Sequence, residues 1–166
     1  MKLSPSQRID MRVALEDDLD VLVNFGATMA KETEARELDR VRLRQGILAV
    51  LQSSTHGYYL VCDLHDGQGS RNVIGQMLIT YEWSDWRNAT FWWIQSVYVH
   101  PEWRRQGVYR RMHEYIVRSA RERPDVCGVR LYVEAENIVA QTAYKRMGMN
   151  ASHYRMYERD FIFDPS

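Results

Sequence analysis

The chain has 166 residues, and its 22 basic and 22 acidic side chains give a formal net charge of zero. This length is typical of one domain, and we expect residues 1–166 to form a single domain. The composition, 45% hydrophobic and 27% charged, is that of a soluble globular protein. A dedicated nucleic-acid or membrane-surface protein would carry a basic excess, so we expect neither partner.

Metal-ligand and targeting patterns are both missing from the sequence. The two cysteines, Cys62 and Cys127, form no CxxC pair, and the five histidines show no metal-ligand spacing. We therefore expect no metal and a reduced, cytoplasmic protein. Residues 1–13 lack the apolar core of a signal peptide, and no window approaches 18 apolar residues, so no membrane span is expected.

The first third of the chain predicts one strand followed by two helices. Residues 9–13 alternate between apolar and polar side chains, as a half-buried strand does. Three acidic residues at 16–18 then suit the first turn of a helix, whose apolar stripe continues to Met29. After a polar stretch at 31–37, a second helical pattern covers residues 38–51.

Three strands joined by turns follow, at residues 58–62, 73–83 and 90–99. The short connections predict antiparallel pairing. The third of these strands is apolar on both faces near its end, which is typical of a central strand covered on both sides.

The remaining elements predict a helix at 107–122, a strand at 126–134, a short helix at 137–147 and a polar edge strand at 149–157. The helix at 107–122 makes the strands on either side of it parallel, through a right-handed crossover. The fold class is therefore α/β with a mixed sheet. The open edge of the last strand would need a cover, which a homodimer could supply.

The junction between the strand at 90–99 and the next helix has the chemistry of an anion site. Gly107 lets a bulky anion approach the backbone, and the first helical turn offers free N–H groups and a positive dipole end. Arginines surround it at positions 104, 105, 110 and 111. We interpret it as a phosphate or pyrophosphate site; a solvated arginine-rich helix start is the alternative.

A second block of residues downstream completes a family resemblance. The first block is Arg104-Arg105-Gln106-Gly107-Val108-Tyr109, and the second has Asn137, Ala140, Tyr144 and Gly148-Met149. Together they resemble the GCN5-related N-acetyltransferase (GNAT) family, which carries [QR]xxGx[GA] and then Asn-x-x-Ala-x-x-x-Tyr before Gly-Phe. The resemblance implies a mixed, mostly antiparallel sheet flanked by helices, the acyl-CoA N-acyltransferase fold.

The resemblance also implies acetyl-CoA as acyl donor and transfer of its acetyl group to a primary amine in a ternary complex. Tyr144 would then be the general acid for the CoA thiolate, and Asn137 would cap its helix or bond a pantetheine amide. An N–H near Val97 could polarise the thioester carbonyl. The residues expected to bind the cofactor are Val97, Tyr98, Val99, Arg104, Arg105, Gln106, Gly107, Val108, Tyr109 and Asn137.

Two departures from the family pattern leave an alternative open. Tyr109 replaces a small residue, so its ring must turn away from the pyrophosphate or crowd it. The usual strand glutamate is replaced by Trp93, with Gln95 next on the same face, and neither accepts a proton at neutral pH. The base is then water or a carboxylate, with Glu34, Glu82 and Asp85 as candidates. The alternative function is a non-catalytic acyl-CoA-binding module.

The stretch at 81–87 combines three aromatic and two acidic side chains, with Trp92 and Trp93 shortly after it. Aromatic faces and carboxylates suit a cationic amine, so we expect a small cationic acceptor. The alternative is a tight hairpin whose tryptophans pack into the core. The residues expected at the acceptor are Glu34, Glu82, Asp85, Trp93 and Gln95.

Overall fold

The computed structural model describes residues 7–163 of the chain. The chain forms two compact units, Met1–Tyr132 and Val133–Ser166, and each is treated by itself below. The predicted single domain at 1–166 therefore remains a prediction. The first six residues, part of the stretch without a signal-peptide pattern, lie outside the described residues.

The first unit contains a five-stranded sheet in the order β1-β2-β3-β4-β5. Neighbouring strands are antiparallel from β1 to β4, and β4 and β5 are parallel, as predicted from the helix between them. The strands are β1 (Arg8–Val13), β2 (Tyr58–His65), β3 (Arg71–Ser84), β4 (Ala89–Val99) and β5 (Val126–Arg130).

Helices cover both faces of this sheet. Helices α1 (Leu19–Glu34) and α2 (Arg40–Gln52) pack on one face, where alternate β2 residues such as Tyr59 and Val61 meet them. Helix α3 (Val108–Arg121) packs on the other face against the residues in between. The alternation of β2 side chains explains both layers, because successive residues of a strand point to opposite faces.

A charged cluster joins β1 to β2 and to the start of α1. The Arg12 guanidinium donates to Asp18 Oδ2 at 2.6 Å and Oδ1 at 2.8 Å, and to Asp63 Oδ2 at 2.6 Å. Asp18 is 5% exposed and Asp63 is 2% exposed. Both carboxylates therefore depend on one cation for their charge balance.

The second unit contains helix α4 (Ile138–Arg146), and the strand predicted at 149–157 is wrong. Those residues adopt no regular structure, since an alternating pattern makes a strand only where a partner strand accepts it. The homodimer expected from that strand's edge remains a prediction. The strand predicted at 126–134 is also shorter than expected, because β5 ends at Arg130.

Within residues 7–163, no helix has the length and apolar character needed to cross a membrane. Over the same residues, no three histidine, cysteine or carboxylate side chains lie together as a metal site would need. Cys62 is buried in β2, whereas Cys127 in β5 is only half-buried, so the expectation that both are buried packing residues holds for the first.

Candidate active site

A β-bulge interrupts β4 at Ser96. Leu78 of β3 pairs with Gln95, whereas Gln76, two residues earlier, pairs with Tyr98. Strand β4 thus has one residue more than its partner over this interval, and Ser96 takes the left-handed conformation with φ of 47°. A bulge of this kind bends the strand and re-aims the residues beyond it.

The bulge changes which β4 side chains face α3. Before it, Trp92 and Ile94 pack in the α3 core; after it, Val97 and Val99 do so. Tyr98 faces the opposite layer, where its ring lies 4.8 Å from that of Phe25 in α1. Without the extra residue, the alternation would have turned both valines away from α3.

The end of β4 has an open edge. Strand β4 pairs with β5 only over residues 90–93, so no described strand pairs with residues 94–99 on that side. His100 N donates to Ile74 O at 2.9 Å, so the hydrogen bonds to β3 run through alternate residues. The backbone groups of Val99 therefore point to the open edge, where they can pair with an extended ligand.

Residues 104–109, the phosphate loop, connect this open edge to α3. Arg105 and Gly107 both have left-handed backbone conformations, with φ of 60° and 79°. The first helical hydrogen bond runs from Arg111 N to Gly107 O at 3.0 Å, so the N–H groups of residues 108–110 lie at the end of the helix. A Cβ on Gly107 would meet no described atom within 4 Å. The loop is thus a concave set of donors with space before it.

Two polar side chains of the phosphate loop hold the loop in place. Arg104 donates through Nη2 to Glu32 Oε2 at 2.6 Å and through Nε to Val99 O at 2.8 Å. Gln106 Nε2 donates to Glu102 O at 2.7 Å. In this structure both side chains position the backbone, and the main-chain N–H groups form the anion-binding surface.

The ring of Tyr109 packs on the core side of α3. Its centroid lies 6.1 Å from that of His113, one turn along the helix, and the side chain packs against the α3 core. Val108 beside it is 2% exposed. Of the two arrangements considered from the sequence, the ring adopts the one that turns away from the loop.

The acetyltransferase (GNAT) family profile matches residues 25–149 of the chain, three quarters of its length. The chain belongs to the GNAT acetyltransferase family. The match begins in α1, includes the phosphate loop and ends after α4. The mixed sheet flanked by helices, expected from the two sequence blocks, is thereby confirmed.

Solved structures similar to this GNAT protein carry related descriptions. A possible acetyltransferase from Clostridium difficile 630 is 43% identical, with a TM-score of 0.85 over 93% of this chain and 98% of that chain. A predicted acetyltransferase with acetyl-CoA from Clostridium acetobutylicum is 17% identical, with a TM-score of 0.71 over 93% and 97%. AAC(6')-Iy in complex with a bisubstrate analog, CoA-S-monomethyl-acetylneamine, is 16% identical, with a TM-score of 0.68 over 92% and 98%. The last two show the fold alone. No curated protein matches the chain in sequence.

In the second unit, Asn137 and Tyr144 lie on α4. Asn137 Oδ1 accepts from Ala140 N at 3.0 Å, so its side chain caps the helix, the first of its two predicted roles. Tyr144 is half-buried in the last part of the helix. The helix ends at Gly148, with φ of 84°, as the sequence predicts.

Glu82, one of the candidate bases, is bound by two donors of the GNAT sheet. Arg130 Nη1 lies 2.7 Å from Glu82 Oε1 and 2.8 Å from Oε2, and Trp93 Nε1 also donates to the carboxylate. Burial acts to raise the pKa of Glu82, but the hydrogen bonds from Arg130 and Trp93 outweigh burial and lower it. A carboxylate with a lowered pKa is a poorer proton acceptor than an ordinary glutamate.

Replacing Glu82 with glutamine is therefore expected to leave the apparent pKa of the acid limb of kcat/KM unchanged. The amide keeps an acceptor for Arg130, although the ion pair is lost. The measurement is the pH profile of acetyl transfer, with the matched change Glu102→Gln outside the cluster as control. Loss of the acid limb in the Glu82 variant alone would identify this carboxylate as the base.

Trp93 and Gln95 share a face of β4 with Glu82, as the register predicts. Gln95 Nε2 donates to Thr80 Oγ1 at 2.5 Å, and both residues are half-buried. Neither side chain can take a proton from an ammonium group at neutral pH. The face thus supplies hydrogen bonds and ring surface.

The structure separates the other two acidic candidates. Glu34 ends α1, the helix whose Glu32 bonds to the phosphate loop, and it is exposed. Asp85 lies in the β3–β4 turn, where its Oδ1 accepts from Trp86 N at 2.8 Å. About ten strand residues, or roughly 33 Å, lie between this turn and the end of β4. A small amine cannot contact both carboxylates.

Three residues of the site were missed by the sequence analysis: Glu32, Gln76 and Arg130. Gln76 is 1% exposed and its Nε2 lies 3.5 Å from the carbonyl of Ser96 at the bulge. A glutamine within the apolar run of β3 is a signal that could have identified it. Glu32 and Arg130 act through partners 72 and 48 residues away in the sequence, which no local pattern indicates.

Proposed function

We propose that this GNAT protein transfers the acetyl group of acetyl-CoA to a primary amine by direct attack in a ternary complex. One observation carries the proposal: the open edge of β4 leads directly into the phosphate loop. An extended arm that ends in a pyrophosphate would match an unpaired strand edge followed by a helix N-terminus.

The donor would use main-chain groups for most of its binding. We expect the pantetheine arm to pair with residues 97–99 as an added strand does. The Val99 carbonyl already accepts from Arg104, so the Val99 N–H is the group available to the arm. The N–H groups of residues 105–109 would hold the pyrophosphate, with the positive end of α3 behind them.

In the proposed chemistry the amine lone pair attacks the thioester carbonyl, and the C–S bond then breaks. The N–H of Val97 would polarise the carbonyl oxygen. Tyr144 would give its phenolic proton to the departing CoA thiolate, because a phenol stays protonated at neutral pH. With Glu82 held by Arg130, the proton of the amine would leave through water.

The change Tyr144→Phe tests the acid. We expect turnover to fall by roughly 100-fold, in the range typical of a lost general acid, while the Kd for acetyl-CoA stays within about twofold. Initial rates with saturating acetyl-CoA and calorimetric titration measure the two quantities. Tyr154→Phe, an exposed tyrosine of the same unit, is the control. Full turnover in the Tyr144 variant would remove this residue from the mechanism.

The acceptor proposed here is a small cationic amine. Support comes from the exposed Glu34 at the end of α1, the helix that contacts the phosphate loop through Glu32. A panel of polyamines, aminoglycosides and amino acids, compared with a lysine peptide and a protein N-terminus, tests the class. Acetylation of the peptide or the N-terminus alone would contradict a small-molecule acceptor.

A second candidate function is a non-catalytic acyl-CoA-binding module of the same fold. It is favoured by the side chains at Trp93 and Gln95, where no carboxylate is present. Release of free CoA thiol with any amine of the panel separates the two. Thiol release supports the enzyme, and acetyl-CoA binding without thiol release supports the module.

A further inference from the structure

A pocket of about 650 Å³ lies in the first unit at the end of α3 opposite the phosphate loop. Helix α3 has 14 residues, so roughly 21 Å of helix separates the pocket from Gly107. This volume is in the range of small-molecule sites. The residues that decide its chemistry are Tyr58, Tyr81, Trp92, Tyr115, Arg123 and Asp125.

Aromatic rings form the inner part of the pocket. Trp92 is 7% exposed, and the Tyr58 ring meets it edge to face with centroids 5.8 Å apart. Tyr81 lies directly opposite Trp92 in the sheet, 6.5 Å between centroids, and remains 41% exposed. Such walls accept a flat ring in edge-to-face or offset contact.

The aromatic run that the sequence analysis assigned to the acceptor is thus divided between two faces. Tyr81 and Trp92 face α3 and line this pocket, whereas Glu82 and Trp93 bond to each other on the opposite face. The proposed acetyl transfer uses only the second pair. The first pair, and the pocket it lines, have no part in that reaction.

One ion pair lies at the pocket mouth. Arg123 Nε donates to Asp125 Oδ1 at 3.0 Å and Nη2 to Oδ2 at 2.8 Å, and more than half of each side chain is exposed. Asp125 is fixed at the backbone, where its carbonyl accepts from Thr90 N at 2.9 Å. Within residues 7–163, no hydrogen bond uses Nη1 of Arg123. The mouth therefore offers a cation and an anion side by side.

We propose that this pocket binds a free amino acid with an aromatic side chain. The ring would lie against Tyr81 and Trp92, the carboxylate would accept from Arg123 Nη1, and the ammonium would donate to Asp125. A ligand with one charge alone gains from one partner and is opposed by the other, whereas a zwitterion satisfies both. The proposal does not depend on acetyl transfer, because binding is measured without acetyl-CoA.

The test is calorimetric titration of the full chain with four probes that share one ring. L-Tryptophan carries both charges, tryptamine only the ammonium, indole-3-propionate only the carboxylate, and indole neither. We expect L-tryptophan to bind with a Kd of millimolar or below, and each other probe to bind at least tenfold more weakly. Arg123→Gln and Tyr81→Ala should each weaken L-tryptophan binding at least tenfold.

Arg121→Gln, an exposed arginine of α3 outside the pocket, is the matched control and should bind L-tryptophan as the parent does. Circular dichroism melts establish that each variant is folded. The proposal is overturned if no probe binds, if indole or tryptamine binds as tightly as L-tryptophan, or if the Arg123 variant keeps the parent affinity. A peptide with N-terminal tryptophan binding equally well would also contradict a free amino acid.

Discussion

Replacing Gly107 with alanine is expected to weaken acetyl-CoA binding at least tenfold. Gly107 has φ of 79°, which disfavours any residue with a Cβ by about 1–2 kcal/mol. The strain is relieved only if the loop turns its N–H groups away from their present direction. The new methyl group would also enter the space before the loop, which is open in this structure. Calorimetric titration of acetyl-CoA measures the effect.

Gly69 provides the matched control for this change. It lies in the β2–β3 loop with φ of 98°, and a Cβ there also meets no described atom within 4 Å. Both alanine variants should lose a similar free energy of unfolding, about 1–2 kcal/mol, from the same backbone cause. Only the Gly107 variant should lose acetyl-CoA. Equal affinity in the two variants would show that Gly107 does not border the donor site.

Replacing Arg12 with leucine is expected to lower the free energy of unfolding by about 3–5 kcal/mol, because two buried carboxylates lose their cation. Asp18 and Asp63 would remain buried with charges that neither water nor another side chain balances as well. Urea unfolding at pH 7 measures the loss. For a chain of this length, the Tm should fall by roughly 10 °C or more.

The pH dependence of the same variant gives a second readout. In the parent, burial acts to raise the pKa of Asp18, but hydrogen bonds from Arg12 and the Leu15 N–H outweigh it and hold the pKa below 3.8. Its contribution to stability is therefore full above about pH 4 and is lost as the pH falls further. Without Arg12, burial raises the carboxylate pKa, so the variant gains stability as the pH falls from 7 toward 4.

Arg44→Leu is the control for the arginine change. Arg44 pairs with Asp20, but both side chains are more than half exposed, so the expected loss is below about 1 kcal/mol. A loss in the Arg12 variant no larger than in the Arg44 variant would contradict the account of the buried cluster. A stability difference between parent and Arg12 variant that grows as the pH falls would contradict it as well.

The order of the elements and the position of the phosphate loop could be predicted because their signals are local. The turns between β2, β3 and β4 dictate antiparallel pairing, and the helix after β4 dictates the parallel pair. Gly107 and Gly148 mark a helix start and a helix end through a backbone conformation that glycine adopts freely.

The bulge and the long-range ion pairs could not be predicted from the sequence. Ser96 has no feature that marks a left-handed residue in a strand, since serine adopts that conformation only when the surrounding sheet imposes it. Arg12 finds Asp63 across 51 residues, which follows from the β1–β2 register and not from any spacing. Glu82 could be nominated as a base for the same reason, because Arg130 is invisible to a local pattern.

The strand predicted at 149–157 shows the opposite limit. Its alternating side chains match the two-residue period, yet the segment forms no ladder within the described second unit. Period alone states which faces a strand would have; a strand also needs a neighbour to accept its hydrogen bonds.

The central claim is that the phosphate loop and the open edge of β4 bind acetyl-CoA. Its most direct test is a thermal melt of the full chain alone, with acetyl-CoA, and with acetyl-pantetheine, which lacks the pyrophosphate. At about 100 times the Kd, acetyl-CoA should stabilise by roughly 2.7 kcal/mol, a Tm shift of roughly 5–10 °C for a chain of this length. Acetyl-pantetheine at the same concentration should shift the Tm far less. No shift with millimolar acetyl-CoA, or an equal shift with acetyl-pantetheine, would contradict a phosphate site at the start of α3.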